Sequence, residues 1–311
     1  GSRCAGQRTG KVQVPVIDCD IATRDEAAVA KEVDEALREV GFMALTRIGV
    51  DQDMVARMFS AAREFFARPQ QSRLRSAYGS AAENFGYQGF GQESLDPARP
   101  SDLKETFTMR NLLEAPVALQ RWPDEAFRDV SEAFYQQAMA AALRLQRLMT
   151  RNLGVPTDFF TSKHSGENVT LRLLHYPPVA ADAVAHQQMG AGAHTDYGML
   201  TLLWQDEVGG LQVRDAAGHW HDVPPRPGAV VINAGDMLEA WSNGRYQSTW
   251  HRVLPRNPGQ ERFSIALFVD PDSDTVIEAL PACIDDSNPP RYAPTTAGAH
   301  LQARIEATHL A

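Results

Sequence analysis

Beyond residue 168 the chain breaks into short runs in which apolar and polar residues alternate, and glycine or proline closes each run. The runs cover 168–176, 200–205, 211–213, 229–233, 248–254 and 262–269. Side chains alternate between the two faces of a strand, so a period of two marks strands with one buried face. Many short strands at this spacing predict a β-sandwich or barrel. The first half reads differently. Apolar spacing predicts a helix over 24–40, with Ala27, Val33, Ala36, Leu37 and Val40 as its buried stripe and Gly41 as its stop. A second amphipathic helix is expected over 51–67. A third, over 123–153, opens on acidic residues and ends in Arg147, Arg151 and Gly154-Val155-Pro156. Short strands over 14–18 and 42–45, a loop over 76–92 after Pro69 and a helical tail over 295–310 complete the reading.

Composition narrows the function. With 311 residues and 43% hydrophobic content, the chain supports one large core with an appendage. A net charge of -9 without clustered Lys and Arg opposes nucleic-acid binding and makes a small molecule the expected partner. Cys4, Cys19 and Cys283 are far apart and form no CxxC pair, so neither a disulfide framework nor a thiolate zinc site is expected. No window reaches the roughly 20 apolar residues of a membrane span. The expectation is therefore a cytoplasmic protein in a reducing compartment, with no membrane contact and acting as a monomer.

The chemistry is concentrated in the strand-rich half. His194-Thr195-Asp196 stands at the entrance to a strand-like run, where residues two apart point the same way and both side chains reach one metal. His251, on a later strand, adds a second imidazole. Two histidines and one carboxylate on one face leave coordination positions open, as iron(II) oxygenases require. Arg262 and Ser264 also share a face, and a guanidinium fork beside a hydroxyl suits a carboxylate. His219-Trp220-His221 offers a competing metal pair, but between Gly218 and Pro224-Pro225 it reads as a solvent-facing hairpin. Asn233, Gly235 and Asp236 read as a turn before a strand at Met237-Leu238, with Gly235 in a backbone shape that other residues dislike. His175 reads as packing, and His164, His186, His300 and His309 as surface residues.

The order HxD, distal His, RxS resembles the plant and bacterial 2-oxoglutarate-dependent dioxygenases similar to isopenicillin N synthase. Val14-Pro15-Val16-Ile17-Asp18, Val40-Gly41-Phe42, Asp102-Leu103-Lys104-Glu105-Thr106-Phe107, Leu171 to Pro178 and Gly228 to Asp236 resemble further stretches of that family. The resemblance implies a mainly β core with flanking helices, a double-stranded β-helix or distorted jelly roll. It implies an N-terminal region over 12–125, a catalytic core with its supporting helix over 126–270 and a C-terminal extension over 271–311. Iron(II) would be held by His194, Asp196 and His251, and 2-oxoglutarate by Arg262, Ser264 and Tyr176, with O2 as the other co-substrate. Phe107, Arg110, Arg172, Tyr197, Trp241 and Phe268 are the implied substrate contacts. Plant members often carry Asn-Tyr-Tyr-Pro where this chain has Leu174-His175-Tyr176-Pro177, so an asparagine near the co-substrate is missing. Three other readings stay open: an oxidase resembling isopenicillin N synthase that does not use 2-oxoglutarate, a zinc hydrolase on the same ligands, and a non-catalytic jelly-roll binding module.

Overall fold

Asp25 accepts the amide hydrogen of Ala27 and opens α1 (Glu26–Glu39), which buries Val29, Ala30, Val33, Asp34, Ala36 and Leu37. Ala27, expected in the stripe, is exposed in the first turn. Gly41 ends the helix at φ 75°, and a Cβ there would lie 2.3 Å from the carbonyl oxygen of Gln247, so backbone shape and space both require glycine. The structure, a computed structural model, describes residues 13–90, 104–113, 121–180, 191–255 and 259–310. His186 lies outside the described residues, and so do Asp102 and Leu103.

The other helices are α2 (Gln52–Phe66), α3 (Gln70–Leu74), α4 (Glu125–Thr150), α5 (Asp236–Trp241) and α6 (Ala297–Leu310). The strands are β1 (Val16–Asp18), β2 (Phe42–Thr46), β3 (Gly86–Gln88), β4 (Glu105–Arg110), β5 (Val169–Tyr176), β6 (Ala191–His194) and β7 (Leu200–Gln205). They continue with β8 (Leu211–Arg214), β9 (Trp220–Asp222), β10 (Ala229–Ala234), β11 (His251–Val253), β12 (Arg262–Val269), β13 (Val276–Ile277) and β14 (Thr295–Thr296).

An eight-stranded sheet has the order β1-β2-β10-β7-β12-β5-β4-β3, and a four-stranded sheet the order β6-β11-β8-β9. Together they form the jelly roll. Register decides which residues face where. Across β7, β12, β5 and β4, Leu202, Leu267, Leu171 and Met109 form one outward row, while Gln205, Ser264, Leu174 and Thr106 form an inward one. The outer face joins the main core with Phe65 of α2 and Phe134, Leu145 and Met149 of α4. The inner face meets Leu211, Val213 and Val253 of the smaller sheet in a second apolar cluster that includes Phe42, Leu174, Tyr176, Val231 and Ala266.

Several local expectations change. The loop over 76–92 contains β3, and the strand expected at Met237-Leu238 is α5, whose buried Met237, Leu238 and Trp241 follow helical spacing. Only His251–Val253 of the run 248–254 is strand. His164, expected on the surface, is 7% exposed, because the turn after Phe160 folds it against α4. No helix among the described residues is long and apolar enough to cross a membrane.

Candidate metal and co-substrate site

β6 ends at His194, β11 begins at His251, and the register sets the two opposite one another. Their ring centroids are 4.3 Å apart. Asp196 is not on the strand with His194, as alternation predicted; it lies in the turn before β7. What brings it back is backbone hydrogen bonding, with Asp236 N donating to Asp196 O at 2.8 Å and Gly235 N to Met199 O at 2.9 Å. One nitrogen from each imidazole and one carboxylate oxygen then lie within 4.8 Å of one another, the one such group among the described residues.

Neighbours fix which atoms are presented. Asp196 Oδ2 accepts from the Thr201 hydroxyl at 2.6 Å and from Asn233 Nδ2 at 2.7 Å. Oδ1 is left facing His194 Nε2 at 3.5 Å and His251 Nε2 at 3.3 Å. His194 Nδ1 and His251 Nδ1 lie 2.6 and 3.0 Å from the carbonyls of Gly192 and Thr249. Each Nδ1 therefore carries the proton, and each Nε2 lone pair points at the shared centre. Two imidazole nitrogens and one carboxylate oxygen on one side of a point are the donor set of a facial iron(II) site, and the residues fit the metal.

Charge within the trio is strongly coupled. Burial alone would raise the Asp196 carboxyl, but the facing His251 and His194 rings hold it well below the usual range. Burial and the facing His251 lower His194. For His251 burial works against the charged form, yet Asp196 outweighs it and the ring is raised.

The surrounding turn is braced by close approach. Gly235 has φ −100° and ψ 179°, an ordinary extended backbone, so the unusual shape expected for it is absent. Space is the reason for glycine: a Cβ would lie 2.2 Å from the Gly198 carbonyl oxygen. A Cβ on Gly198 would lie 1.8 Å from Asp270, whose Oδ1 accepts from Met199 N at 2.8 Å.

The second half of the site lies on the inner face of β12 and β5, where Arg262 pairs with Tyr176 and Ser264 with Leu174. The Arg262 guanidinium lies 5.0 Å from the Tyr176 ring centroid and donates through Nη2 to Gln205 Oε1 at 3.2 Å. Arg262 Nε, Ser264 Oγ and Gln205 Nε2 are buried without a hydrogen-bond partner among the described residues. Buried polar groups are almost always paired, so three converging donors on one face imply an acceptor that binds there. A carboxylate fits this arrangement.

The implied substrate contacts divide. Phe268 and Arg172 face inward, and the Arg172 guanidinium lies 5.4 Å from the Phe268 ring centroid. Phe268 pairs with Thr201, whose hydroxyl holds Asp196, so this wall adjoins the His194, Asp196 and His251 group. Tyr197 follows Asp196 directly and is half-buried; its carbonyl is 2.8 Å from Nε2 of His300, which is part-buried rather than on the surface. Arg110 instead ties together the turns before β5 and β3, donating to the carbonyls of Glu167 and Ala82 at 2.6 and 2.7 Å. Phe107 and Trp241 are not pocket residues. Phe107 faces outward, since its neighbours Thr106 and Thr108 face in, and packs edge-on against Phe65 and Phe127. Trp241 packs against Phe159 and Phe160 in the main core. In the hairpin of β8 and β9, His221 Nε2 is 2.7 Å from Asp215 Oδ2 and His219 is exposed.

Sequence reading missed Thr201, Gln205 and the ligand-holding role of Asn233. Alternation along β7 places Thr201, Leu203 and Gln205 on one face, and polar residues at two of those three positions in a buried strand were the available signal.

Residues 167–271 match the 2OG-Fe(II) oxygenase superfamily, and residues 14–125 match the N-terminal region of the non-haem dioxygenase in morphine synthesis. The 2-oxoglutarate-Fe(II) type oxidoreductase hxnY of Emericella nidulans is 33% identical over 87% of this chain and 82% of its own length. A homoarginine-6-hydroxylase of Arabidopsis thaliana is 31% identical over 87% of this chain and 88% of its own. A full-length Neurospora crassa protein, solved in complex with alpha-KG and thymine, superposes with a TM-score of 0.85 at 31% identity, covering 95% of this chain and 97% of that one. The chain thus belongs to the 2OG-Fe(II) oxygenase superfamily and is an iron(II)- and 2-oxoglutarate-dependent oxygenase that oxidises a small molecule.

Proposed function

We propose that His194, Asp196 and His251 hold the iron, that Arg262 and Ser264 receive the far carboxylate of 2-oxoglutarate beside Tyr176, and that Phe268 and Arg172 face the substrate. The reaction is hydroxylation of a small molecule that presents a flat apolar part to Phe268 and a carboxylate or carbonyl to Arg172. The observation that carries this reading is the trio of unpaired buried donors, Arg262 Nε, Ser264 Oγ and Gln205 Nε2, on the sheet face that also positions Asp196. When bound, iron(II) with 2-oxoglutarate and O2 supplies the oxidant, leaving succinate and CO2 and placing one oxygen atom in the product.

The chain's own residues do the rest. Thr201 and Asn233 keep one Asp196 oxygen occupied, so only Oδ1 is offered to the metal. The two Nδ1 hydrogen bonds fix the tautomer that frees each Nε2. Phe42, Leu174, Val213, Val231 and Val253 exclude water between the sheets, which strengthens the pairing of Arg262 with a carboxylate. Thymine and the homoarginine of the hydroxylase's name both carry carbonyl or carboxylate acceptors of the kind Arg172 binds.

Purified protein loaded anaerobically with iron(II) is exposed to O2 and 2-oxoglutarate beside a panel of nucleobases, amino acids and aromatic acids, and succinate is measured. Succinate stimulated by one panel member and lost in His194→Ala is the expected result. Product formed without succinate would replace this reading with the 2-oxoglutarate-independent oxidase. Full turnover in His194→Ala would sink the ligand assignment.

A further inference from the structure

His175 occupies the outer face of β5, between Leu174 and Tyr176 on the inner one. Its ring stacks on Phe66 of α2, with centroids 5.4 Å apart at 25°, and on Phe263 of β12, at 4.6 Å and 19°, and the two phenyl rings lie 6.4 Å from each other. At one edge Nδ1 is 2.6 Å from Glu105 Oε1, and at the other Nε2 is 2.7 Å from Glu261 Oε2. Ionised carboxylates only accept hydrogen bonds, so both contacts are satisfied together only when both ring nitrogens carry protons. The packing role expected from alternation is therefore incomplete: the ring packs, and both of its nitrogens also meet carboxylates.

The two carboxylate partners differ in burial. Glu105 is 1% exposed, and its second oxygen accepts from Arg73 and from the Tyr87 hydroxyl. Glu261 is half-exposed, and the Arg63 guanidinium lies over the Phe263 ring, 5.3 Å from its centroid. The chain of contacts crosses three neighbouring strands, Glu105 on β4, His175 on β5 and Phe263 on β12, while Glu261 immediately precedes Arg262. On the inner face of the same three strands stand Thr106, Leu174 and Ser264, then Tyr176 opposite Arg262.

We propose that His175 is a positioning residue: as a doubly hydrogen-bonded imidazolium it fixes β4, β5 and β12 in register and so sets the spacing of Arg262, Ser264 and Tyr176 around the far carboxylate of 2-oxoglutarate. The proposal rests on the reading of those three residues as the co-substrate anchor. It predicts an effect on co-substrate affinity from a side chain that points away from the site.

Two measurements test it. In protein labelled with 15N at histidine, both nitrogens of the His175 ring are expected to be protonated at pH 7, with the resonance assigned by its loss in His175→Phe. A single protonated nitrogen there would overturn the imidazolium. Anaerobic calorimetry on the iron-loaded protein then reads 2-oxoglutarate affinity. His175→Phe keeps the stack and removes both hydrogen bonds, and should weaken 2-oxoglutarate about 10-fold while iron affinity and kcat at saturating co-substrate stay within about twofold. Glu261→Gln, at a half-exposed position that folding tolerates, should weaken it by a smaller factor of about 3. Unchanged affinity in both variants would overturn the positioning role. Arg262→Ala in parallel separates the two ideas: if it leaves 2-oxoglutarate binding intact, the anchor reading fails, whereas the protonation of His175 is judged by its own spectrum.

Discussion

The two faces of the eight-stranded sheet are built by alternate residues of the same strands, yet they obey different rules. On β12 the outward residues Phe263, Ile265, Leu267 and Val269 are all at most 5% exposed and belong to the main core. The inward residues Arg262 and Ser264 are as well buried, at 4% and 1%, but leave donor atoms unpaired. Polar groups in the outer layer largely find partners within the protein: Glu105 binds Arg73, Tyr87 and His175, and His164 bonds through both ring nitrogens. Inside, Thr106 and Thr108 join Arg262, Ser264 and Gln205 in having a buried polar atom without one among the described residues. The outer face is arranged for the stability of the chain alone, and the inner face is complete only with a ligand.

Substitutions should separate along that line. Phe107→Ala removes a fully buried outer ring that meets Phe65, Phe85 and Phe127, and should cost about 3–5 kcal/mol in urea unfolding while the remaining folded protein keeps its 2-oxoglutarate affinity. Loss of substrate turnover without loss of stability would instead restore the pocket role that the sequence implied for Phe107. Arg262→Ala, one sheet face away, should weaken 2-oxoglutarate about 100-fold and leave the unliganded protein no less stable. A stability loss equal to that of Phe107→Ala would mean that the inner face is not held for a ligand.

What was legible in the sequence follows from how local each signal is. The strand runs and the HxD, His and RxS positions rest on a two-residue period and a few chemically distinctive side chains, so the jelly roll and the positions of His194, Asp196, His251, Arg262 and Ser264 were readable. The inward direction of Arg172 follows from the same alternation, since it stands two and four residues before Leu174 and Tyr176. Phe107 and Trp241 went astray because aromatic residues line pockets and cores alike, and only register decides between them. The α5 segment was read as strand because its buried residues are too few to establish a period. Asn233 was read as turn chemistry, since its bond to Asp196 crosses 37 positions of sequence. His175 and His164 share that limit: Glu105 and Gln146 come from other elements, and nothing in the sequence around either histidine marks it as buried.

His164 gives the outer layer a pH signature of its own. Nδ1 lies 2.7 Å from the Phe160 carbonyl and so carries the proton, which leaves Nε2 to accept from the Gln146 amide at 3.1 Å. Burial is the largest influence and pushes the ring down to about 4 from an ordinary 6.5. The unfolded chain then takes up the proton first as pH falls. The contribution of this neutral ring is therefore present above pH 6.5 and is lost progressively toward pH 4. Between pH 7 and 5 the loss should reach about 2 kcal/mol. Urea unfolding of the wild type against His164→Gln reads this as a difference in pH slope, and parallel slopes would show that the ring titrates normally.

The smallest effect is expected where the two faces come closest in function, at the carboxylate of Asp196. Asn233 and Thr201 stand on adjacent strands in register and both bind Oδ2. With either removed, the remaining bond still limits rotation of the carboxylate, so Asn233→Ala should weaken iron(II) about 10-fold in a chelator competition and leave kcat at saturating metal nearly unchanged. Thr201→Val should do the same. Because the two groups restrain one oxygen, their effects should not add: in the double variant nothing holds Oδ2, and the loss should exceed the product of the single losses. Additive losses would mean that packing of the turn over 195–199 orients the carboxylate by itself. In that case the polar atoms of the inner face serve the ligands alone, and the metal centre owes its geometry to the same close packing that builds the outer face.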